Sequence, residues 1–332
     1  MSDLQIAVII VTYRTAQLTI ENLRALEAER STVGLRICAI VIDNDSGDSP
    51  AIAQAIESNG WSAWVTLIAA PKNGGFGYGN NLGMSYAFEH FPPTYIYLLN
   101  PDAQVRPGAI GYLARFLETH PEAGIAGGSF EDQNGNDKSV AFRFPTLRSE
   151  FDAGLEFGLI TRILQRWVVP QRMGGSVQSV DWICGASMMI RPAVIKTIGG
   201  FDENYFLYYE ETDFCYRAKK AGFSTWYVPE SRVMHIAGQS TKVTDLTSGP
   251  KRLPDYWFES RRRYFAVTYG IRHAIAVDVA ALVARLLGWV KRNVLRRRHS
   301  TIPFYIRDLI RHSIIWPRNR DLPEFKGFIP RA

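Results

Sequence analysis

Three carboxylates lie close together in the segment 205–217, which reads YFLYYEETDFCYR. Glu210, Glu211 and Asp213 have no basic residue near them in this segment before Arg217, so their ionised forms repel one another. Crowded, partly buried carboxyls of this kind have raised pKa values, which suits a general base. The same residues are also typical of the acidic first turn of a helix, and residues 213–222 have helical character. On this segment alone, a catalytic base and a helix start are both open interpretations.

The elements that must position these acids alternate along the chain. The pattern predicts strands at 8–13, 37–43, 65–69, 95–99 and 225–228, and helices at 17–29, 51–59, about 80–89 and 107–119. Residues 143–175 are predicted to be irregular and mobile. The alternation indicates an α/β fold with a mainly parallel sheet flanked by helices. Ligands of such sheets bind at the carboxyl ends of the strands.

Polar and glycine residues follow the first three predicted strands. They are Thr12 and Tyr13 at the end of the first strand, Asp43 at the end of the second, and the loop NGGFGYGNN at 73–81 after the third. The loop glycines do not match G-x-G-x-x-G, and the loop does not follow the first strand, which argues against a dehydrogenase. Glycines here would let the backbone approach a ribose or phosphate, although a glycine-rich turn that binds nothing fits as well.

A candidate metal site follows the fourth strand, at Asn100-Pro101-Asp102. The carboxylate of Asp102 suits a hard cation whose remaining ligands are substrate phosphate oxygens. His235, after a later strand, is a candidate second ligand. Against this, Asn-Pro-Asp is also an ordinary turn, and a lone histidine is commonly a core or surface residue.

Composition indicates a soluble globular protein, with 46% hydrophobic and 21% charged residues over 332 positions. The three cysteines, Cys38, Cys184 and Cys215, are far apart and contain no CxxC pair, which favours a reducing compartment. The start, MSDLQIAVIIVTYR, lacks the basic region of a signal peptide and is predicted to be a strand. We therefore expect a cytoplasmic protein.

The net charge of +6 is unevenly distributed, because residues 251–332 hold 18 Lys/Arg and 6 Asp/Glu, whereas residues 1–250 hold 20 and 26. A basic C-terminal part indicates an anionic partner, either a membrane surface or nucleic acid.

An amphipathic helix is predicted within this part, at 272–298. Asp278, Arg285, Arg292 and Arg296 form a narrow polar stripe, with Arg297 and Arg298 beside it. The opposite face is apolar and consists of Ile275, Val279, Val283, Leu286, Leu287, Val290 and Val294. Asp278 and Arg285 interrupt the apolar run, so an in-plane helix with its arginines toward the headgroups is favoured over a span. A terminal helix packed on the rest of the protein is the alternative, and the apolar face argues against nucleic acid.

Taken together, these segments resemble family 2 glycosyltransferases of the GT-A fold, and most closely their rhamnosyltransferase-like branch. The resemblance covers roughly residues 5–245. The motifs stand in the expected order and read VIIVTYR, VIDNDS, KNGGFGYGNNLG, LLNPDAQV, VDWICGASMMIRP, IGGFDENYFLYYEETDFCYRAKKAGF and VMHIAGQST. An ordered set of this kind is far more specific than any single motif.

The resemblance implies roles for individual residues. The nucleotide-sugar side would comprise Thr12, Tyr13, Asp43, Asn73, Gly75, Asn80, Asn100 and Asp102, with Asp43 hydrogen-bonding the pyrimidine. Asp102 and His235 match the metal ligands, which implies Mg²⁺ or Mn²⁺ as cofactor. The first position of the DxD-type motif is Asn100, so Asp102 would bear more of the metal binding.

The catalytic position of the family is occupied here by Glu211, one methylene longer than the usual aspartate. Its pKa would be raised by Glu210, by Asp213 and by burial among aromatic residues. Residues Trp182, Gly185 and Ala186 are expected to shape the acceptor side, although Trp182 is equally interpretable as a core residue.

The resulting hypothesis divides the chain in two. Residues 1–245 would form a GT-A catalytic domain, with the nucleotide sugar bound by 1–105 and the acceptor and base in 106–245. Residues 246–332 would form a basic helical region at the inner face of the cell membrane. The expected reaction is inverting, metal-dependent transfer of a sugar, preferably rhamnose from dTDP-rhamnose, to a hydroxyl of a lipid-linked or cell-surface glycan. The alternatives are a galactofuranosyl or other hexosyl transferase and, in another class, a non-catalytic nucleotide-sugar-binding or nucleic-acid-binding protein.

Overall fold

A computed structural model describes residues 4–33, 35–132, 135, 137–138, 140–235, 251–295 and 302–330 of the chain. The strands are β1 (Gln5–Thr12), β2 (Arg36–Asp43), β3 (Val65–Ala69), β4 (Tyr95–Leu99), β5 (Ala103–Val105), β6 (Ala123–Glu131), β7 (Asp137–Lys138), β8 (Ala141–Phe142), β9 (Gln178–Val180), β10 (Trp182–Ile183), β11 (Ser187–Ile190) and β12 (Ser224–His235). The helices are α1 (Ala16–Val33), α2 (Ser49–Ser58), α3 (Gly75–His90), α4 (Ala109–Thr119), α5 (Leu147–Leu155), α6 (Gly158–Ile163), α7 (Pro192–Ile198), α8 (Glu210–Lys220), α9 (Asp255–Tyr269), α10 (Ile271–Val294) and α11 (Tyr305–His312).

The main sheet has the strand order β3-β2-β1-β4-β11-β6-β12-β5. β3, β2, β1 and β4 are parallel, as the strand and helix alternation predicts. β11 is antiparallel to both neighbours, and β5 is antiparallel to β12, so the sheet is mixed. Residues 184–186 form a turn that joins β10 directly to β11. Since a parallel neighbour would require a longer crossover connection, this short turn is consistent with β11 running antiparallel to β4.

Glycines of α3 allow this helix to pack closely on the sheet. A Cβ atom on Gly79 would lie 2.6 Å from a methyl of Val11, and one on Gly83 would lie 2.5 Å from a methyl of Ile9. These separations are below van der Waals contact, so larger residues would push the helix off β1. The glycine-rich segment was predicted as a loop before a helix at about residue 80, whereas α3 already begins at Gly75. Packing against β1 explains why a glycine-rich sequence is helical here.

The segment predicted to be irregular, residues 143–175, contains α5 and α6. Thr146 caps α5 with a reciprocal pair of bonds, in which the Ser149 amide donates to the Thr146 side chain and the Thr146 amide donates to the Ser149 hydroxyl. Such a cap normally has Glu or Gln at the position that Ser149 occupies here. In addition, α5 packs on α10, which is distant in sequence and stabilises the helix. The prediction of an irregular segment was therefore wrong.

A buried ion cluster ties the C-terminal helices to the rest of the protein. The guanidinium of Arg261 on α9 donates to Glu150 on α5 at 2.7 Å and to Asp278 on α10 at 2.5 Å. Asp278 also accepts hydrogen bonds from the Ser313 hydroxyl and the Ile314 amide. These groups link α5, α9, α10 and the segment after α11. The predicted domain boundary at 245 lies outside the described residues, and it stays a prediction.

The polar stripe of α10 faces the protein. Arg285 stacks on the ring of Tyr305 at 3.5 Å, and Arg292 pairs with Glu156 at 2.9 Å. The expectation that this stripe faces lipid headgroups was therefore wrong for Asp278, Arg285 and Arg292, while Arg296, Arg297 and Arg298 lie outside the described residues. The side chains exposed instead are apolar, namely Val279, Val283, Leu286, Leu287, Val290 and Val294.

By length and composition alone, α10 also meets the requirement for crossing a membrane, with a mean hydropathy of 1.6. One third of its most apolar window is buried against the rest of the protein.

Candidate active site

The turn 184–186 lies between the candidate metal ligands and the candidate base. On one side, the Asn100 amide donates to the Ala186 carbonyl at 3.1 Å. On the other side, the Gly185 amide donates to the Glu211 carboxylate at 2.9 Å. The turn therefore brings together parts of the sequence that the motif order leaves far apart.

Strand pairing brings Asp102 and His235 together. β12 pairs antiparallel with β5 so that His235 lies opposite Ala103, the residue after Asp102. The His235 Nε2 atom is 3.3 Å from the Asp102 carboxylate, and both side chains are largely buried. Within the described residues this Nε2 atom has no hydrogen-bond partner, and the ring is held edge-on to Phe130 at 5.1 Å.

A nitrogen and a carboxylate oxygen that converge without a hydrogen bond are suited to sharing a cation. The described part of the chain has no group of three or more His, Cys, Asp or Glu side chains arranged to hold a metal. The residues present thus fit a divalent ion only if a substrate supplies further oxygen ligands.

The acid segment leads into α8, which begins at Glu210. Two residues just before the helix, Tyr208 and Tyr209, have left-handed backbone conformations, with φ of 70° and 68°. Such conformations cost about 1–3 kcal/mol per residue and persist where the surroundings enforce them. Both earlier interpretations are therefore compatible with the structure, because the acids occupy the first turn of a helix and also follow a strained segment at the site.

The three acids have different surroundings. Glu210 is only 2% exposed, and its Oε2 atom has no hydrogen-bond partner among the described residues. Asp213 is buried and forms an ion pair with Arg217 at 2.7 Å. Glu211 is partly exposed and contacts the turn at Gly185. Among the three, Glu211 therefore combines access with a direct contact to the turn.

Burial raises the pKa of Glu211, and the hydrogen bond from the Gly185 amide partly opposes this change. Burial also raises the pKa of Glu210, and the charge of Glu211 raises it further. For Asp213, burial raises the pKa while Arg217 lowers it. The expectation named burial together with the neighbouring acids, and burial is the main cause of the raised pKa of Glu211.

Thr12 and Asp43 lie at the carboxyl ends of the adjacent strands β1 and β2, where they are paired in register. The Asp43 carboxylate accepts four hydrogen bonds, two from the amides and two from the hydroxyls of Ser46 and Ser49. The Thr12 hydroxyl donates to Asp48 at 2.8 Å. Sequence reasoning missed Asp48, although an acid just before Ser49-Pro50 is a helix-start signal that was available. Tyr13 follows β1 and is partly exposed, beside Arg14.

Asn44 organises the start of the glycine-rich segment. Its side-chain amide donates to the Asn73 side-chain oxygen at 3.0 Å and to the Gly75 carbonyl at 3.1 Å. Sequence analysis did not choose Asn44 as a site residue, although it directly follows Asp43. The side chain of Asn80 is buried and donates to the Phe76 carbonyl.

Gly75 has a φ of +88° and lies against the backbone of Phe206, where a Cβ atom would be 1.8 Å from the carbonyl oxygen. The Phe76 amide donates to that same carbonyl at 3.2 Å. Because Gly75 has no side chain, the backbone at Phe206, in the segment that leads to Glu210, Glu211 and Asp213, can approach it closely. A ligand contact for Gly75 stays a prediction.

Trp182 lies close to the turn but is strongly held. Its ring stacks on Phe142 with centroids 4.3 Å apart, and its indole N–H donates to the Arg143 carbonyl. These contacts show that Trp182 is a packing residue. Its ring is also partly exposed, and a role in acceptor binding stays a prediction.

Comparisons with solved structures identify the fold. A mannosyltransferase from Pyrobaculum calidifontis in complex with GDP-Man and Mn²⁺ superposes with a TM-score of 0.53 at 12% identity, covering 95% of this chain and 81% of that one. The GalNAc-T7 structure with UDP, GalNAc and Mn²⁺ gives a TM-score of 0.57 at 12% identity, covering 93% and 57%. These likenesses, together with the mixed sheet flanked by helices, confirm the expected GT-A fold.

Curated sequences give relatives of higher identity. The N-acetylglucosaminyl-diphospho-decaprenol L-rhamnosyltransferase of Mycobacterium tuberculosis is 29% identical over 214 residues, 62% of this chain and 68% of that protein. The rhamnosyltransferase WbbL of Escherichia coli is 31% identical over 168 residues, 49% and 61% of the two chains. The dTDP-rhamnosyl transferase RfbF of Shigella flexneri is 24% identical over 241 residues, 72% and 71%.

The sequence profile described as glycosyltransferase-like family 2 matches residues 4–248, which include every strand-end and turn residue described above. With the GT-A fold and these rhamnosyltransferase relatives, the match shows that the chain belongs to glycosyltransferase family 2 and is a glycosyltransferase.

Proposed function

We propose that this glycosyltransferase moves rhamnose from dTDP-rhamnose to a hydroxyl of a lipid-linked glycan, with inversion at the anomeric carbon. The observation that carries the proposal is the turn 184–186, which contacts Asn100, two residues before the paired Asp102, on one side and Glu211 on the other. Rhamnosyl transfer is supported by three relatives whose names specify it, one of which names the dTDP donor.

Asp102 and His235 would hold a divalent cation, Mg²⁺ or Mn²⁺, with donor phosphate oxygens as further ligands. When bound, this ion would stabilise the negative charge that develops on the departing nucleotide diphosphate. The bound Mn²⁺ in structures of similar fold supports a divalent ion. The residues of the chain contribute by fixing both ligands through the β5–β12 pairing.

Glu211 would accept the proton of the acceptor hydroxyl as that oxygen attacks the anomeric carbon. Its Oε1 atom accepts a hydrogen bond from the Gly185 amide, and the Oε2 atom would be the oxygen that takes the proton. A pKa raised by burial makes the carboxylate a stronger base than an exposed glutamate. A single displacement by the acceptor oxygen inverts the anomeric centre, which requires one base on the face opposite the leaving group.

On the nucleotide side, Thr12, Tyr13 and Asp43 at the ends of β1 and β2 would bind the base, with Asn73, Gly75 and Asn80 beside the ribose and diphosphate. The four hydrogen bonds from Ser46 and Ser49 fix the orientation of the Asp43 carboxylate and occupy its acceptor sites, so a hydrogen bond to the base would require one of them to be released.

We also propose that the enzyme works at the inner face of the cell membrane, attached through the apolar face of α10. Six aliphatic side chains are exposed along this face although the helix packs on the protein by its other side. A lipid-linked acceptor would then be presented at the surface where the enzyme is bound.

A hexosyltransferase of the same fold is the second candidate, because the low-salt glycan biosynthesis hexosyltransferase Agl10 of Haloferax volcanii is 26% identical over 219 residues. A galactofuranosyl donor belongs to the same alternative. A non-catalytic nucleotide-sugar-binding protein is less well supported, since Asp102 and His235 are paired and Glu211 is hydrogen-bonded to the turn that also contacts Asn100.

The test is release of nucleotide diphosphate by the purified protein with a panel of donors and a polyprenyl-diphosphate-linked sugar as acceptor. Rhamnosyl transfer predicts that dTDP-rhamnose is turned over at least about tenfold faster than the corresponding hexose or galactofuranose nucleotides. Faster turnover of another donor would establish the hexosyl alternative. Release with none of the donors, from protein that binds them, would support the non-catalytic alternative.

A further inference from the structure

We propose that residues 156–167, in the catalytic half of the chain, bind the same membrane surface as α10 and so hold the acceptor side of the active site against the lipid headgroups. This inference rests on the proposed attachment of α10 to an anionic bilayer. It adds a second, separately testable contact, because sequence analysis assigned membrane binding to residues 272–298 alone.

The first step is that the start of this segment is held against α10. Gly154, near the end of α5, crosses α10 so closely that a Cβ atom would lie 2.9 Å from Ala284. The ammonium group of Lys291 donates to the backbone carbonyls of Leu155, at 2.8 Å, and Glu156. Arg292 pairs with the Glu156 side chain at 2.9 Å. The backbone that enters α6 is thus fastened to the C-terminal half of α10.

The second step is that the segment exposes large apolar side chains beside the apolar face of α10. Leu159 is 62% exposed and Ile163 is 66% exposed, and Phe157 is also exposed, next to the Lys291 ammonium at 5.3 Å. At 100° per residue, Lys291 lies at the border between the packed side of α10 and its exposed residues Leu287 and Val294. Contiguous exposed apolar groups on two fastened elements are uncommon on soluble proteins and mark binding surfaces.

The third step concerns the partner. Arg162 and Arg166 are exposed within the same segment, and residues 251–332 carry 18 basic and 6 acidic side chains. Aliphatic side chains bordered by cations fit the headgroup region of an anionic bilayer, in which the cations meet lipid phosphates and the aliphatic groups are buried. Nucleic acid would leave the aliphatic groups without a partner.

The fourth step links this surface to catalysis. The connection that contains this segment begins after Phe142 in β8 and ends at β9, shortly before Trp182 in β10. The rings of Phe142 and Trp182 stack, and β8 and β10 pair with each other. Shortly after Trp182, the Gly185 amide contacts the base Glu211. Because this segment is joined to the strands next to the turn, binding of the segment to the membrane would place the acceptor side of the turn close to the headgroups. The reactive sugar of a lipid-linked acceptor is located there.

The experiment measures flotation of the full-length protein with vesicles of phosphatidylglycerol and phosphatidylcholine. The test variant is Leu159→Asp with Ile163→Asp. The control is Ile329→Asp, because Ile329 is also 66% exposed but lies in the C-terminal segment beside Phe328 and α3. We expect the double variant to bind vesicles at least about tenfold more weakly, with the control unchanged, since two aliphatic groups are lost from the headgroup region and two negative charges are added. Backbone hydrogen exchange of residues 157–164 should slow when vesicles are added to the wild type.

The outcomes separate this inference from the proposed function. If the wild type binds vesicles and the double variant binds equally well, α10 acts alone and the inference is wrong. If the wild type ignores vesicles and instead self-associates in a manner that the double variant abolishes, the surface is an interface between copies of the chain, and the inference is wrong as well. Melting temperatures of all proteins identify a folding defect, and hydrogen exchange of the wild type then decides independently of the variants. Nucleotide release by the wild type without vesicles tests catalysis separately.

Discussion

Replacement of Glu211 by glutamine is the most direct test of the site. The amide oxygen of glutamine retains an acceptor for the Gly185 amide, now 2.9 Å from Glu211 Oε1, so the turn keeps its hydrogen bond. The group lost is the proton acceptor. General-base removal costs about 10²-fold to 10⁴-fold in rate. At about 1.4 kcal/mol per factor of ten, this corresponds to about 2.7–5.5 kcal/mol of transition-state stabilisation.

The assay is steady-state release of nucleotide diphosphate, with kcat and KM measured separately for donor and acceptor. We expect kcat to fall within this range, with the donor KM changed less than about threefold, because the interaction is made in the transition state. The pH profile gives a second readout. Burial raises the pKa of Glu211 above the ordinary glutamate pKa of about 4.3. The wild-type rate should therefore increase with pH until the pH exceeds this raised pKa, and the variant should lose this dependence.

The neighbouring acids provide matched controls. Asp213→Asn removes the carboxylate that pairs with Arg217 at 2.7 Å and should lower stability, by about 3 kcal/mol, more than it lowers kcat. Glu210→Gln should retain most of the activity, because this side chain is almost fully buried and its Oε2 atom has no hydrogen-bond partner among the described residues. The assignment is refuted if Glu211→Gln is nearly as active as the wild type while Glu210→Gln or Asp213→Asn is inactive and folded.

The metal proposal predicts that EDTA abolishes transfer, that Mg²⁺ or Mn²⁺ restores it, and that Asp102→Ala or His235→Ala is not rescued by excess metal; full activity in EDTA would contradict it. Asp278→Ala should destabilise the protein by about 3–5 kcal/mol in thermal or urea unfolding, because it leaves the buried Arg261 with one carboxylate partner; a change below about 1 kcal/mol would contradict the structural role of α10. Glu210→Gln should raise the melting temperature above pH 5. The pKa of this buried acid is higher in the folded state than in the unfolded state, so the wild type loses stability as pH rises from about 4.3 toward the folded-state pKa. A variant whose stability has the same pH dependence as that of the wild type would refute this.

Much of the fold follows from the sequence. Alternating apolar runs and amphipathic stretches predict β1, β2, β3 and β4 with their helices, because burial on a two-sided sheet imposes these periods locally. The strand ends also predict that Thr12, Asp43 and Asp102 lie at one edge of the sheet. The ordered motifs identify the family, and the profile match confirms it.

The tertiary structure decides what depends on contacts between distant residues. The approach of His235 to Asp102 is set by the β5–β12 register, and the hydrogen bond from the Gly185 amide to Glu211 joins the turn to α8, which no local pattern reveals. The sequence predicts that the polar stripe of α10 faces solvent or headgroups. Asp278 is nevertheless buried, because Arg261 and the Ser313 hydroxyl supply its hydrogen bonds. Periodicity shows that a helix has two faces, but a charged face is buried or exposed according to the partners that other parts of the chain provide.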